Sequence, residues 1–452
     1  MILFRKPLLL ALCLVGLISI SPVSLAADII DSDNISELIL SNGLKIIVKA
    51  DHRSSSVVFQ IWYKTGSSYE SEGISGISHM LEHLMFSANG NALLGEGFNR
   101  LNKIGAKGSA YTSRDSTFYY HLLAKEHLAL AFSVEAERMQ HLSPSINDFI
   151  IEKKVIKEEL HASLGREPYL SAHNALYEQA FKNSAYRFPV IGRLDDLNAL
   201  TLSRTMLWHK NYYTPDNATI VVVGDVEASQ VFKLAEKYFS AISKRRPIGS
   251  NQFVDKTILI NEIRWVMPEA NKLGGVLLAF KVPSINTSAP FWEAYALEVL
   301  AGWLESGTNS RLSKALIRDR QLAYEITISY SPLYRKDSVF IIEAIPAYGV
   351  SLAQLEKALL EEIVQIKNET INLQTLEKIK NQMIATEIFD RDSNFIQAKI
   401  IGQAESVGIH WSEDAQYIPR IKVITAEQVN TVLHKYFIAA KKVVVIQRSY
   451  KQ

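Results

Sequence analysis

The chain has 452 residues, with 49 Lys and Arg against 47 Asp and Glu, which gives a net charge of +2. Because both signs are dispersed along the chain, the composition argues against binding of nucleic acid or of a membrane surface as the main function. The only cysteine, Cys13, lies within the first 26 residues, so a chain without them has no disulfide or thiol chemistry.

The N-terminus has the pattern of a secretory signal peptide. Arg5 and Lys6 precede an apolar run from Pro7 to about Ile20, and Ser24-Leu25-Ala26 provides small residues for cleavage after Ala26. The alternative is a membrane-anchoring helix, but the run is short for a span of ~20 residues, and no later segment is long enough. Residues 1–26 are therefore predicted to be removed, leaving a soluble chain that is periplasmic or secreted and has no membrane attachment.

Strand and helix patterns then follow in a mixed order. Three consecutive apolar runs are typical of strands: Leu38–Leu40, Leu44–Val48 and Val57–Trp62. Asn42-Gly43 predicts a hairpin turn between the first two, and helical periodicity follows at Gly76–Phe86 and Leu128–His141. Without strict strand-helix alternation, we expect an α+β fold with two similar domains, each a mainly antiparallel sheet with helices packed on it.

The sequence His79-Met80-Leu81-Glu82-His83 combines residue types that bind metal with one that transfers protons. On a helix His79 and His83 lie one turn apart on one face, so their ring nitrogens can bind one cation. Glu82 projects from the same side and suits a general base that takes a proton from water and passes it to the leaving amine. The alternative is a set of polar residues on a partly exposed helix. Two histidines need a third ligand for a catalytic zinc site.

The segment Asp148–His161 supplies a candidate for that ligand. At ~100° per residue, an apolar face is predicted from Phe149, Ile151, Val155, Ile156 and Leu160. Glu152 and Glu159 fall in the middle of this face, where a carboxylate is costly unless it is paired or metal-bound. We therefore assign Glu159 as the third zinc ligand, and Glu152 as a hydrogen-bond acceptor for a ligand histidine or a residue that shapes the site. The alternative is that both make ordinary buried ion pairs.

A division into two domains is indicated near the middle of the chain. About 426 residues remain after cleavage, which suits two domains of roughly 200 residues each. The charged stretch Ser243–Ser250 contains Pro and Gly, as linkers do. This places an N-terminal zinc-binding catalytic domain at residues 27–245 and a similar C-terminal domain, without a metal site, at residues 252–452.

The two halves look like copies of each other. Thr201–Val223 and Thr425–Ile446 both contain a helical segment, an aromatic pair, a polar turn and an apolar run, with matching positions 224 residues apart. Chance similarity of two helix-turn-strand units is the alternative. A constant offset that is about half of the mature chain favours an internal duplication.

With these residues in place, the chain resembles the inverted-motif zinc peptidases, the family of insulinase, pitrilysin and the mitochondrial processing peptidase. That family pairs His-x-x-Glu-His with a distal glutamate ligand and with another glutamate seven residues before it. Glu159, 76 residues after His83, and Glu152 match this spacing. Further landmarks are Gly73–Ser78, Ala110-Tyr111-Thr112, Pro189–Gly192 and Tyr213–Asp225. The resemblance covers nearly all of the mature chain and implies one Zn²⁺ in the first domain and an extended peptide that adds to a sheet edge.

The resemblance also implies substrate-binding residues and a partner. Ser109-Ala110-Tyr111 stands where the family has Asn-Ala-x, with Ser109 able to hydrogen-bond a substrate backbone. In the family's shorter branch, a two-domain subunit pairs with a second subunit, whose active site receives an arginine and a tyrosine. Tyr324 is the candidate tyrosine, but Ile317 occupies the arginine position and Arg318 is adjacent. We therefore expect a homodimer or a heterodimer, and favour a heterodimer with a related subunit.

The predicted function is a zinc-dependent endopeptidase that hydrolyses peptides or unfolded protein segments in a chamber formed with a second subunit. His79, His83 and Glu159 are the predicted ligands and Glu82 the predicted general base. The alternative is a non-catalytic assembly or binding subunit on the same scaffold, against which the intact Glu82 argues. A structural zinc site is disfavoured because three protein ligands leave an open position. Other histidines without ligand spacing are predicted to be core or surface residues: His121, His127, His141, His161 and His209.

Overall fold

The computed structural model describes residues 30–32, 34–87, 92–166, 168–244, 261–271, 274–305 and 310–449. The predicted signal peptide (residues 1–26) and most of the predicted linker (residues 245–250) lie outside these ranges. Across the described ranges, no helix combines the length and the apolar character that a membrane span requires.

Seven strands of the first half form one sheet. They are β1 (Ile30–Ser32), β2 (Ile35–Ile39), β3 (Lys45–Ala50), β4 (Ser56–Tyr63), β5 (Lys107–Thr112), β6 (Thr117–Ala124) and β7 (Ala218–Gly224). Their order is β1-β2-β3-β7-β4-β6-β5, with β3 and β7 parallel and the other neighbours antiparallel. The predicted Asn42-Gly43 hairpin joins β2 to β3, with Gly43 at a φ of +90°, which glycine adopts without strain. The edge strand β5 has one unpaired side.

The helices of the first half, apart from the fifth, cover one face of this sheet and enclose the first core. They are α1 (Ile77–Ser87), α2 (Ala92–Lys103), α3 (Leu128–His141), α4 (Ile146–Arg166), α5 (Pro168–Ala180), α6 (Leu194–Ala199), α7 (Leu202–Tyr212) and α8 (Ala228–Phe239). Apolar side chains of α1, α3, α7 and α8 pack against the sheet, for example Leu81 and Phe132 on Phe59 and Leu44 in one buried cluster. The helices predicted at Gly76–Phe86 and Leu128–His141 are confirmed.

The second half repeats this architecture. Its five strands are β8 (Ile263–Asn271), β9 (Gly275–Val282), β10 (Ala323–Ser329), β11 (Ser338–Pro346) and β12 (Lys442–Ser449), in the order β10-β11-β9-β12-β8. Its helices are α9 (Trp292–Glu305), α10 (Leu352–Lys367), α11 (Leu373–Asp390), α12 (Asn394–Ser406), α13 (Tyr417–Val423) and α14 (Ala426–Tyr436), with a π-helical segment at Ser313–Asp319. The predicted α+β fold with mainly antiparallel sheets is confirmed.

The 224-residue repeat has the same backbone geometry in both halves. The side chains of Thr201 and Thr425 accept a hydrogen bond from the N–H three residues later and so begin α7 and α14. Both helices end at an aromatic residue of similar conformation, Tyr213 (φ −93°, ψ 70°) and Phe437 (φ −88°, ψ 60°). The following strands, β7 and β12, each pair with one parallel and one antiparallel neighbour. These matches support the duplication.

Each half also supplies a helix to the other half's sheet. Helix α5 packs on β8, β9 and β12, and helix α12 packs on β4 and β7, on the face opposite the first core. Gly402 of α12 lies so close to Trp62 that an added Cβ would be 2.1 Å from the indole Nε1. The central strands β4 and β7 are therefore covered on both faces, and the second half helps to support the first sheet.

Candidate metal centre

Helix α1 carries the first group of candidate site residues. Its buried residues include Ile77, Met80, Leu81 and Leu84, which anchor one side of the helix in the first core at helical spacing. His79, Glu82 and His83 are only partly buried, so their side chains lie at the boundary between the core and the surface. The position of these three groups is therefore set by the apolar side of their own helix.

The N-terminus of α1 is held by a carboxylate. Glu70 accepts hydrogen bonds from the backbone N–H groups of Gly76 (2.7 Å) and Ser78 (2.9 Å), which would otherwise have no partner within the helix. A negative charge at this end also interacts favourably with the helix dipole. Complete burial raises the pKa of Glu70 to about 7, against the effect of both hydrogen bonds. These contacts fix where the helix starts and therefore the direction of His79.

Two imidazoles and one carboxylate converge in front of α1. The Nε2 atoms of His79 and His83 lie 3.9 Å and 3.7 Å from Oε2 of Glu159, which comes from α4. Burial and the neighbouring His83 lower the pKa of His79 to about 3, so its ring is neutral at pH 7 and has a lone pair for a metal. The three ligand atoms lie within 4.8 Å of one another. This donor set, two histidines and one glutamate with room for a further ligand, fits zinc in a catalytic site.

Glu152 orients one of the two rings. Its Oε2 accepts a hydrogen bond from Nδ1–H of His83 at 2.9 Å, while its Oε1 accepts one from the hydroxyl of Ser87. With the proton on Nδ1, the lone pair of His83 is on Nε2, the atom that faces Glu159. The structure therefore places Glu152 behind the ring of His83, a candidate ligand.

Glu82 points toward the edge strand β5. The Thr112 hydroxyl donates to its Oε2, and Thr112 is in turn 3.3 Å from the hydroxyl of Thr117. Burial raises the pKa of Glu82, while the hydrogen bond from Thr112 opposes the rise. A carboxylate in these surroundings can hold and release a proton beside the three converging ligand atoms.

The predicted apolar face of α4 is partly wrong. Phe149, Ile156 and Leu160 are buried, but Ile151 and Val155 are 58% and 42% exposed. The Glu159 side chain is 50% exposed, so it lies at an open cleft and not within a core. The helix buries a narrower stripe than its apolar residues suggest, because α1 and α6 cover only part of it. The glutamate thus reaches the histidines for a different reason from the one that the periodicity indicated.

Family models match both halves of the chain. The model described as "Insulinase (Peptidase family M16)" matches residues 45–193, and that described as "Peptidase M16 inactive domain" matches residues 199–383. The chain belongs to the M16 peptidase family. Residues 79, 82, 83, 152 and 159 of this M16 chain all lie inside the first match.

Individual relatives and solved structures agree with the family. A protein named zinc protease PqqE from Helicobacter pylori is 28% identical over 358 residues, which cover 78% of this chain and 80% of that protein. An uncharacterized zinc protease, YmxG, from Bacillus subtilis is 26% identical over 88% of this chain and 94% of that protein. The crystal structure of a protease from H. pylori has a TM-score of 0.82 at 25% identity and covers 92% of this chain and 99% of that one. The first half of the periplasmic protease PqqL from Escherichia coli shares the fold, with a TM-score of 0.77 at 16% identity over 93% of this chain and 92% of that chain.

A buried network that the sequence analysis missed holds the C-terminal part of α1. Two guanidinium nitrogens of Arg138 donate to the carbonyl of Met85, and a third contact joins Arg138 to Glu135 at 2.7 Å. Glu135 also accepts from Nε2 of His121 at 2.6 Å. Burial raises the pKa of Glu135, but the Arg138 guanidinium and His121 outweigh it, so the net pKa lies below its usual value. The spacing of Glu135 and Arg138, three residues apart on one helix, was the available signal.

The five histidines predicted to be core or surface residues lie outside the converging group. His121 is buried against Glu135, and Nε2 of His209 donates to the backbone carbonyl of Arg138 at 3.1 Å. His127, His141 and His161 lie on helical segments away from the three converging ligand atoms, with His161 exposed. Within the described residues, their roles are therefore those of core or surface side chains.

A second group of possible metal ligands contains Glu37, Glu405 and His410. Lys45 lies between its two carboxylates, with Nζ 3.4 Å from Glu37 and 3.0 Å from Glu405. The lysine ammonium therefore occupies the position that a cation would need. This group is an ion-pair network between the two domains, because Glu37 and Lys45 belong to the first half and the other two residues to the second.

The edge strand β5 carries the predicted substrate-binding residues Ser109, Ala110 and Tyr111. Ser113 N–H donates to the carbonyl of Ser116 at 2.7 Å and closes the turn to β6. Hydrogen-bonded pairs alternate in an antiparallel ladder, so Tyr111 and Ser109 bond to β6. The backbone N–H and C=O groups of Ala110 and Thr112 therefore face the free edge of the sheet.

The predicted residues Arg318 and Tyr324 lie in the second half and do not belong to the converging group. Tyr324 is 73% exposed on β10, the edge strand of the second sheet. Arg318 is exposed near the end of the π-helical segment, and Ile317 before it is partly buried against the second core. A π-helix has more residues per turn than an α-helix, so the direction of Arg318 differs from that expected for a regular helix.

Proposed function

We propose that this M16 chain is a zinc-dependent endopeptidase that binds one Zn²⁺ through His79, His83 and Glu159. The observation that carries the proposal is the convergence of Nε2, Nε2 and Oε2 from these residues within 4.8 Å. The names of the relatives, which describe zinc proteases, support zinc as the metal. When bound there, zinc acts as a Lewis acid that polarises a water molecule and the carbonyl of the peptide bond.

Three side chains around the proposed ligands have separate roles in catalysis. Glu152 keeps the proton of His83 on Nδ1 and thereby keeps Nε2 available as a ligand atom. Glu82 takes a proton from the attacking water and returns it to the amine that leaves. Thr112 holds one oxygen of Glu82, so the other oxygen is free to exchange the proton.

The substrate we infer is an extended peptide or an unfolded protein segment. The outward N–H and C=O groups of Ala110 and Thr112 can pair with a peptide backbone as a further strand of the sheet. Recognition through main-chain groups tolerates many side chains, which suits an endopeptidase of broad specificity. Ser109 and Tyr111 contribute side chains beside this peptide.

A second subunit is part of the proposal. The whole chain of PqqL from E. coli is matched over only 48% of its length by this protein, while its first half alone is matched almost completely. A chain of half that size would form its chamber with a second two-domain subunit, either a copy of itself or a related protein. Position 317 is an isoleucine and not an arginine, which favours a related subunit as the partner. That subunit would provide the arginine and tyrosine contacts, which a second copy of this chain would have to make with Arg318 and Tyr324.

We also propose export to the periplasm or the exterior after removal of residues 1–26. The pattern of basic residues, an apolar run and small residues before position 27 supports a signal peptide. Mass spectrometry of the protein from cell fractions would test this. We expect an exported chain that begins at Ala27, and a chain that keeps its N-terminus and stays in the cytoplasmic fraction would contradict the proposal.

The competing proposal is a non-catalytic assembly or binding subunit. One observation favours it, the description of the second matching family model as an inactive domain. That match covers residues 199–383, however, and so excludes the segment that carries the two histidines and three glutamates. The description therefore concerns the end of the first domain and much of the second, and the segment before residue 199 keeps the complete set of groups for catalysis.

The test is metal analysis together with peptide hydrolysis for the wild type and for Glu82→Gln, with and without a co-expressed partner subunit. We expect Glu82→Gln to keep one zinc and to lose turnover, because it keeps every ligand and loses only the proton carrier. Glu158→Gln is a matched control, since Glu158 is exposed and its ion pair among the described residues is with Lys154 at 3.7 Å. Turnover by Glu82→Gln at the wild-type rate would refute the role of Glu82, and full activity of the homodimer alone would refute the need for a different partner.

A further inference from the structure

A cavity of about 480 Å³ lies on the face of the first sheet that is opposite α1. Its floor consists of Trp62, Phe118 and Tyr120, and one wall consists of Phe395 and Lys399 from α12. It lies beside α12, which packs mainly on β4 and β7 and reaches β6 through the contact of Phe395 with Tyr120. The volume falls within the range of ~300–1,000 Å³ that is typical of ligand pockets.

The cavity opens beside the free edge of β5. Tyr111 of that strand lines it and is 61% exposed. The ring of Tyr111 lies 6.2 Å from that of Phe118, which stacks on Trp62 with a ring distance of 4.0 Å. A row of three aromatic side chains therefore leads from the edge strand across the sheet into the cavity.

The register of β5 determines which side chains of an added peptide would face this cavity. Ala110 and Thr112 face α1, since Ala110 packs against the first core and Thr112 bonds to Glu82. Tyr111 lies between them and faces the opposite side. Directly paired residues of neighbouring strands point to the same face of a sheet. A peptide residue paired with Tyr111 therefore projects toward the cavity, and its two neighbours project toward the zinc ligands.

The charged groups of the cavity differ in whether they already have partners. The Arg114 guanidinium stacks 3.6 Å above the ring of Tyr177, and Asp115 accepts hydrogen bonds from the hydroxyls of Ser68 and Tyr186. Lys399, by contrast, is exposed, and the structure shows no ion pair for it within its described residues. The cavity thus combines an aromatic floor with the exposed ammonium of Lys399 on its wall.

We propose that this cavity is a specificity subsite that receives a large apolar or aromatic side chain of the substrate and disfavours lysine and arginine. The subsite rests on the proposed function, in that a peptide must add to β5. The aromatic floor supplies apolar contact area, and the ammonium of Lys399 repels a cationic side chain. Because strand side chains alternate, the preference applies to every second residue of the bound peptide and is strongest at the residue paired with Tyr111.

The test measures binding of short extended peptides to the mature, zinc-loaded chain that carries Glu82→Gln, so that no cleavage occurs. Each position of an alanine-rich peptide is replaced in turn by phenylalanine or arginine, and affinity is measured by fluorescence anisotropy. We expect phenylalanine at the cavity position to raise affinity roughly tenfold or more, because it fills an apolar pocket. At this position, we expect arginine to bind roughly two- to fivefold better to Lys399→Glu than to the unsubstituted chain.

Two further variants keep the test specific. Lys233→Glu makes the same charge change at an exposed lysine of α8 outside the cavity and should leave the arginine affinity unchanged. Gln403→Trp introduces a large ring from α12 into the cavity and should remove the gain from phenylalanine. If Gln403→Trp does not fold, as judged by thermal unfolding, the comparison of Lys399→Glu with Lys233→Glu still decides the question.

The outcomes separate the subsite from the enzymatic proposal. Equal affinities at all positions, no peptide binding, or an arginine affinity that Lys399→Glu leaves unchanged would overturn the subsite. Hydrolysis of the same peptides by the wild-type chain with its partner is scored separately. The predicted positional pattern without hydrolysis would leave the subsite standing and refute the peptidase, whereas hydrolysis without the pattern would refute the subsite alone.

Discussion

Replacement of Glu152 by alanine tests how the site is organised without changing any proposed ligand. In the structure one oxygen of Glu152 is 2.9 Å from Nδ1 of His83 and the other accepts from Ser87. In Glu152→Ala the ring of His83 loses the contact that fixes its rotation and its tautomer. The ring can then present either nitrogen to the metal, and only one of these arrangements faces Glu159.

The expected loss of zinc affinity follows from the hydrogen bond between Glu152 and the ligand histidine His83. Loss of a hydrogen-bond partner of a ligand histidine weakens metal binding by roughly 10- to 100-fold, or about 1.4 to 2.8 kcal/mol. Glu152→Gln should lose less, since its amide oxygen can still accept from Nδ1. Zinc affinity is measured by competition with a chromophoric chelator, with Ser87→Ala as the control that removes only the other contact. A zinc affinity of Glu152→Ala within twofold of the wild type, in a folded protein, would refute this reasoning.

Three other changes have defined outcomes. Thr112→Val removes the donor to Glu82, so we expect kcat to fall roughly 10-fold or more while zinc content stays the same, because hydrogen bonds to charged groups contribute ~1.5–3 kcal/mol. Burial raises the pKa of Glu135, but Arg138 and His121 hold the net pKa below its usual 4.5. The ionised carboxylate therefore stabilises the fold at neutral pH, and this stabilisation is lost as the pH falls below about 4.5. In Glu135→Gln, urea unfolding should therefore show a weaker acid dependence of the unfolding free energy. Gly402→Ala should lower that free energy by about 1–3 kcal/mol or more, because the new Cβ overlaps an indole nitrogen 2.1 Å away. Gly275→Ala, where the nearest atom is 3.5 Å away, is its control in the same measurement.

Local features of the sequence predict much of the fold. Asn42-Gly43 predicts the β2–β3 hairpin because a tight turn needs the left-handed conformation that Gly43 adopts. The spacing of His79 and His83 predicts that they share a helix face, and the 224-residue repeat predicts two similar sheets. These features depend on residues that are close in sequence or on a repeat of one pattern, so they can be recognised without knowledge of the tertiary contacts.

The features that could not be predicted depend on which elements meet. Periodicity predicts that Ile151 and Val155 lie on an apolar face, but their exposure depends on how much of α4 its neighbours cover. Glycine is unfavourable within a helix, so Gly402 has no explanation in its own sequence neighbourhood. The structure explains it, because α12 of the second half lies directly over Trp62 of the first half and leaves no space for a side chain. Arg138 is separated by 53 residues from the carbonyl to which it donates. Amphipathic patterns identify a buried face without identifying its partner.

The three converging side chains are held in place to different degrees. Helix α1 is held near its start by Glu70 and near its end by Arg138, whereas the Glu159 side chain is 50% exposed. The histidine pair is therefore set by buried contacts, and the carboxylate approaches from a more open side. Thr112 belongs to two functions at once, since its hydroxyl holds Glu82 and its backbone faces the free edge of β5. A peptide that adds to this edge thus bonds to the residue that orients the proposed base, which links occupation of the strand to the position of the proton carrier.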